Sequence, residues 1–199
     1  ILLLVDVSAS MLDDTVVNIL RLRNMSDTHK MLAEKWRRTI ATVEWLAAQL
    51  PLESEFQIYA FNTKTWALAP GTEGRWLKTN DPNALSDAIN ALRKTIPQDG
   101  TSLENAFVAL NALNPKPDNV ILITDGLPTQ GTGAPLIRKT IDGDGRLRLF
   151  DRAIAKYPRD VPLNVILMPM EGDPSAPAAF WLAARRTGGS FMSPAKDWP

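Results

Sequence analysis

Cysteine is absent from the 199 residues, which excludes disulfide staples, thiolate metal sites and cysteine nucleophiles, and suits either redox compartment. Histidine is almost absent. The one example, His29, lies near a helix start with no serine nucleophile or metal motif beside it, and reads as a surface or capping residue. An excess of either charge sign is also missing: 22 basic residues match 22 acidic ones, so no global field favours nucleic acid or an anionic membrane, and partner choice must come from a local site. No uninterrupted apolar run approaches the roughly 20 residues needed to span a bilayer, which excludes direct membrane insertion by a helix of this segment. Internal repeats and low-complexity tracts are lacking too.

What is present is enough apolar material, 45% of the chain, to build the core of one globular domain over residues 1–199. Four short apolar runs, Ile1 to Val7, Phe56 to Phe61, Asn119 to Thr124 and Leu163 to Met168, alternate with segments of helical period. That alternation is the mark of a parallel sheet covered on both faces. The first run opens the chain with neither an initiating methionine nor a basic leader, so a longer protein is expected, with an adjoining domain or anchor outside the segment.

The first helix is predicted to start near Asp27, with Leu32, Trp36, Ile40, Val43, Leu46 and Leu50 as its stripe until Pro51 stops it. Thr63 to Leu68 reads as an antiparallel edge strand after a turn at Asn62. Asp81-Pro82 caps a second helix (Leu85, Ile89, Leu92, Ile96) that ends at Pro97 and Asp99-Gly100. A third, with Leu103, Phe107, Leu110 and Leu113, follows Thr101 at once. Gly126 to Gly145 is rich in glycine, proline and threonine and reads as a long loop before a helix ending near Tyr157. Ser175 or a neighbour caps the last helix, and Gly188-Gly189 turns into a final strand at Ser190 to Met192.

Three motifs lie just beyond a strand or at the opening of a helix: Asp6-Val7-Ser8-Ala9-Ser10-Met11, Gly100-Thr101-Ser102-Leu103 and Thr124-Asp125-Gly126. In a parallel sheet the crevice outside the carboxyl ends of the strands can gather such distant segments. Together they offer two carboxylates and three hydroxyls, from Asp6, Ser8, Ser10, Thr101 and Asp125, with no imidazole or thiolate. This hard-oxygen set suits Mg²⁺, with Mn²⁺ or Ca²⁺ as alternatives, rather than Zn²⁺ or Cu²⁺. Two aspartates balance the ion's charge and hydroxyls are weak donors, so a further anionic ligand, such as an Asp or Glu of a protein partner, could replace a water.

These residues resemble the von Willebrand factor type A family, whose metal-ion-dependent adhesion site pairs Asp-x-Ser-x-Ser with a later threonine and a later aspartate; all five positions are matched. The resemblance, extending over essentially the whole chain to Thr187-Gly188-Gly189, implies a doubly wound, Rossmann-like α/β fold. It implies a mostly parallel sheet of about six strands with one antiparallel edge strand and helices on both faces. It also implies that Ser8, Ser10 and Thr101 contact the metal by their hydroxyls, and Asp6 and Asp125 directly or through water. One departure is the 16 residues from Met11 to Ser26 between the first motif and the first long helix, expected to lie beside the metal and shape or block access.

Plainer readings compete. Ser10 with Asp13, and Thr101 with Glu104, fit a helix-capping pattern; Asp125 could be a turn residue, and Asp6 a carboxylate bonded to loop amides. Asp142-Gly143-Asp144-Gly145 has part of a calcium loop but lacks its later ligands, and reads as a turn. Trp66 and Trp76, on an edge strand and a loop, are the tryptophans expected to meet a partner.

Three functions are weighed. The first is a metal-dependent protein-binding module, without enzymatic activity. The second is a structural subunit of an ATPase-linked or cell-envelope assembly. The third is an Mg²⁺-dependent phosphohydrolase, since haloacid dehalogenase enzymes also place an aspartate after the first strand. Those enzymes need a second aspartate where Ser8 stands, and no lysine, histidine or glutamate lies within the motifs to move a proton. The alanine- and proline-rich style suggests a bacterial source, and the cell envelope is favoured over the cytoplasm.

Overall fold

A computed structural model of the chain describes residues 1–133, 141–195, 197 and 198. Strand β1 (Leu2–Asp6) leads through a 3-10 turn (Ala9–Leu12) into three helices, α1 (Val16–Arg23), α2 (Asp27–Met31) and α3 (Glu34–Ala48). Then follow β2 (Glu55–Phe61), β3 (Thr65–Ala67), β4 (Leu77–Lys78), α4 (Pro82–Lys94), α5 (Leu103–Asn111) and β5 (Val120–Thr124). The chain closes with α6 (Gly143–Ile154), β6 (Leu163–Leu167), α7 (Ala176–Arg186) and β7 (Phe191–Met192).

The sheet runs β3-β2-β1-β5-β6-β7. The four inner strands and β7 are parallel, β3 is antiparallel at one edge, and the two-residue β4 pairs antiparallel with the start of β2. Side chains of a strand alternate between faces, and here both faces are covered. Leu2 and Leu4 join Phe107, Phe150 and Phe180 of α5, α6 and α7 in one core. Leu3 and Val5 join Trp36, Val43 and Leu92 of α3 and α4 in the other. All five β1 residues are buried, which places the carboxyl end of β1 at the middle of the sheet's rim.

Three expectations need correction. The helix predicted from Asp27 is two helices, broken where Ala33 turns extended (ψ 133°); Leu32, assigned to the buried stripe, is 64% exposed. The break resets the rotation so that α3 turns Lys35 and Trp36 inward, both buried. Asp142-Gly143-Asp144-Gly145 is a helix start rather than a turn, because the Asp142 side chain accepts from the Gly145 amide and caps α6. The exposed tryptophans are Trp45 and Trp181. Trp66 packs against the α3–α4 core and Trp76 against the other, and the Trp76 indole donates to the Pro115 carbonyl at 2.8 Å. The long loop expected from Gly126 to Gly145 falls in part on residues 134–140, outside the described residues.

Gly189 carries a local necessity. A Cβ there would collide with the backbone carbonyl of Leu163, so only glycine lets the chain pass β6 closely enough to pair β7 with it.

Candidate functional site

Beyond the carboxyl end of β1 the chain turns through the 3-10 segment Ala9–Leu12, with Asp6, Ser8 and Ser10 at and just before it. The Ser8 amide donates to Asp6 Oδ1 at 2.8 Å, closing a short loop of the kind aspartate favours. Asp6 Oδ2 accepts from the Thr124 hydroxyl at 2.7 Å. With both oxygens engaged and no exposure, Asp6 is held as an anchor beneath the rim. Burial, then the negative charge of Asp125, pushes its carboxyl up to about 7, against the bonds from Ser8 and Thr124.

The Ser8 and Ser10 hydroxyls are 3.0 Å apart, and Ser10 Oγ donates to Asp125 Oδ1 at 2.8 Å. The first and third motifs therefore meet directly. The capping reading of Ser10 gives way, because its hydroxyl proton goes to Asp125 across the rim. The second motif joins through the backbone: Ala9 donates to the Asp99 carbonyl at 3.0 Å, Gln98 to Val7 at 3.0 Å, and Thr129 to Thr101 at 2.9 Å. The Thr101 amide in turn donates to Thr129 Oγ1 at 2.8 Å. A Cβ on Gly100 would sit 2.5 Å from that Oγ1, so a side chain there would have to displace the Thr129 hydroxyl from the Thr101 amide. Ser102, not Thr101, caps α5, its hydroxyl accepting from the Asn105 amide.

Ser8, Ser10 and Thr101 line one open groove with Val16, Leu20 and Arg23 of α1, Lys64, and Val108 of α5. The Met11–Ser26 stretch is mostly helical, and α1 forms a wall of this groove rather than a plug over it.

Sequence reasoning missed the most consequential member. Lys35, on α3 and outside all three motifs, sends its ammonium to Asp125 Oδ2 at 2.7 Å, with side-chain exposures of 2% and 3%. The same nitrogen donates to the carbonyls of Ser10 and Asp13, each at 3.1 Å, so its three donors are used. A lysine therefore does reach the site, although none stands within the motifs. Its place beside Trp36 of the apolar stripe gave no signal that sets it apart from a solvated lysine. A second ion pair was missed below the loop after Asp125: Asp173 Oδ2 accepts from the Leu127 amide at 2.7 Å and pairs with Arg146 at 2.8 Å.

The donor set is compatible with a hard cation. Among the described residues no cluster of three or more His, Cys, Asp or Glu side chains is found, so an ion here would draw on hydroxyls and water beside the two carboxylates. Ser10 spends its proton on Asp125 and keeps lone pairs for a metal.

The sequence profile described as von Willebrand factor type A domain matches residues 1–127. Among solved structures, the chain resembles a von Willebrand factor type A protein of Catenulispora acidiphila at 16% identity, TM-score 0.59, covering 98% of this chain and 38% of that one. It also resembles the PilB minor pilin of Streptococcus sanguinis at 15% identity, TM-score 0.60, covering 98% and 57%. A third likeness is to BatB of Bacteroides thetaiotaomicron, at 15% identity and TM-score 0.54, covering 97% and 88%. The chain thus spans well under two thirds of the first two proteins, and at these identities the likeness shows the fold. Comparison with curated proteins by sequence gave no match.

Proposed function

This chain belongs to the von Willebrand factor type A domain family, and from that premise we propose that it is a protein-binding module, without catalysis, whose rim takes up a divalent cation, Mg²⁺ in first place. Ser8, Ser10 and Thr101 would hold the ion by their hydroxyls, and Asp6 and Asp125 directly or through water, each carboxylate already accepting one bond on each oxygen. When bound, the ion supplies an electrophilic position that an Asp or Glu of a partner can fill. The observation that carries the reading is the meeting of Ser8, Ser10 and Asp125 through links of 3.0 Å or less, with Ser8 and Ser10 lining an open groove.

The groove suits a protein partner. Exposed Val16, Leu20 and Val108 offer apolar contact around the acidic anchor, and Arg23 and Lys64 add positive charge along its sides. A minor pilin among the structural neighbours is in keeping with a domain that grips other proteins, as part of an assembly or across an adhesive contact. The phosphohydrolase alternative is disfavoured by Asp6, which is fully buried with neither oxygen free to attack a substrate.

Calorimetric titration with Mg²⁺, Mn²⁺ and Ca²⁺ tests the metal, and capture of partners in Mg²⁺ or chelator tests its use. One ion is expected per chain, with uptake lost in Asp125→Ala and partner capture lost in both Asp125→Ala and chelator. Absence of uptake of all three ions by the folded wild-type protein and by its Lys35 variants would overturn the reading.

A further inference from the structure

The five rim residues leave a lysine unexplained. Lys35 Nζ is buried, spends all three donors inside the site, and rests on the Asp125 oxygen that faces away from Ser10. Burying an ammonium costs more than a surface lysine would, unless its partners compensate it fully. Here they do, through one carboxylate and two carbonyls contributed by the loop after β1.

Its charge alters the site's balance. Asp6 and Asp125 alone, both ionised as they would be around a bound cation, carry two negative charges, which one divalent ion would neutralise. Among Asp6, Asp125 and Lys35 the net charge is one negative, so a divalent ion would leave that set with one positive charge. A partner carboxylate would then return it to zero. We propose that Lys35 is a built-in countercation that weakens ion uptake by the unliganded rim and makes it favourable when an acidic group arrives, so that ion and acidic partner bind cooperatively. This rests on the metal-binding reading above and adds a property that the five rim residues would not have alone.

The test compares wild type, Lys35→Met, Lys35→Gln and Asp125→Ala in Mn²⁺ and Mg²⁺ titrations, read by calorimetry and by the Mn²⁺ electron spin signal, in buffer free of carboxylate and phosphate. Lys35→Met keeps the aliphatic stem without the charge. Lys35→Gln keeps a donor for the Ser10 or Asp13 carbonyl and stands in if the methionine variant fails to fold. Removing the ammonium is expected to tighten uptake by about tenfold or more, the size expected when one unit charge near a divalent ion is deleted, even with water-like screening. Adding sodium acetate against equal sodium chloride, with free ion corrected for acetate complexation, is expected to strengthen uptake more in wild type than in either Lys35 variant.

Equal or weaker uptake in both Lys35 variants than in wild type overturns the proposal and leaves the metal reading standing, with Lys35 reduced to a clamp on the loop. Uptake by the Lys35 variants but not by wild type supports it in its strongest form. No uptake by wild type or by either variant overturns both.

Discussion

Asp173→Ala offers the sharpest test of how the loop carrying Asp125 is held. Asp173 is 7% exposed, and one of its oxygens serves both the Leu127 amide at 2.7 Å and Arg146 at 2.8 Å. Truncation leaves a buried N–H without its acceptor, at a cost of about 1–3 kcal/mol. It also strips Arg146 of its carboxylate. Breaking a fully buried pair costs about 3–5 kcal/mol, but the Arg146 side chain is 18% exposed and still donates to the Leu127 carbonyl at 3.2 Å. The two losses overlap, and a total of about 2–4 kcal/mol follows. At this chain length each kcal/mol moves the melting temperature by about 2–4 °C, so urea and thermal unfolding followed by circular dichroism should show a drop of about 4–16 °C. Asp173→Asn keeps an acceptor for Leu127 and should recover about half of the loss. A loss in Asp173→Ala below about 0.5 kcal/mol, the scatter of ordinary surface changes, would refute the reasoning, as would an asparagine variant no better than alanine.

Two further substitutions probe the frame under the rim. Thr124→Val keeps the shape but removes the donor to buried Asp6 Oδ2, and should cost about 1–3 kcal/mol in urea denaturation performed in chelator; an unchanged midpoint would mean that Asp6 does not depend on that bond. Gly189→Ala must push the chain off the Leu163 carbonyl and should cost at least about 1–3 kcal/mol, the usual penalty of overpacking, together with faster amide exchange in β6 and β7. Ordinary stability in that variant would mean that β7 docks differently.

Much of the fold was legible because the inner strands of a parallel sheet are apolar on both faces and stand out as short unbroken runs. Leu2 to Val5 and Val120 to Ile123 were found for that reason, within a residue or two at each end. The two-residue β4 was not, since Leu77-Lys78 has no period to detect and exists only because β2 offers it an edge. The break at Ala33 was hidden by a stripe of helical spacing that ran through it. At the site, the three motifs pointed to residues whose backbone segments do converge. Lys35 and Asp173 were invisible because each works through a partner roughly 50 to 90 positions away, and a charge beside a tryptophan on an amphipathic helix looks like any solvated residue until its partner is in view. Thr124 was quoted as part of a motif, yet its duty to Asp6 becomes apparent only when β1 and β5 lie side by side.

The stretch that matches the family profile ends at Leu127, three residues past β5, but the sheet does not end there. Strand β6 pairs along the whole of β5, and Phe107 meets Tyr157 with ring centroids 4.9 Å apart. A fragment cut at the limit of recognisable sequence would bare a hydrogen-bonding edge at the middle of the sheet and strip α5 of its aromatic neighbour. It would be prone to stick to its own copies rather than fold, so any expression boundary is better drawn beyond β7.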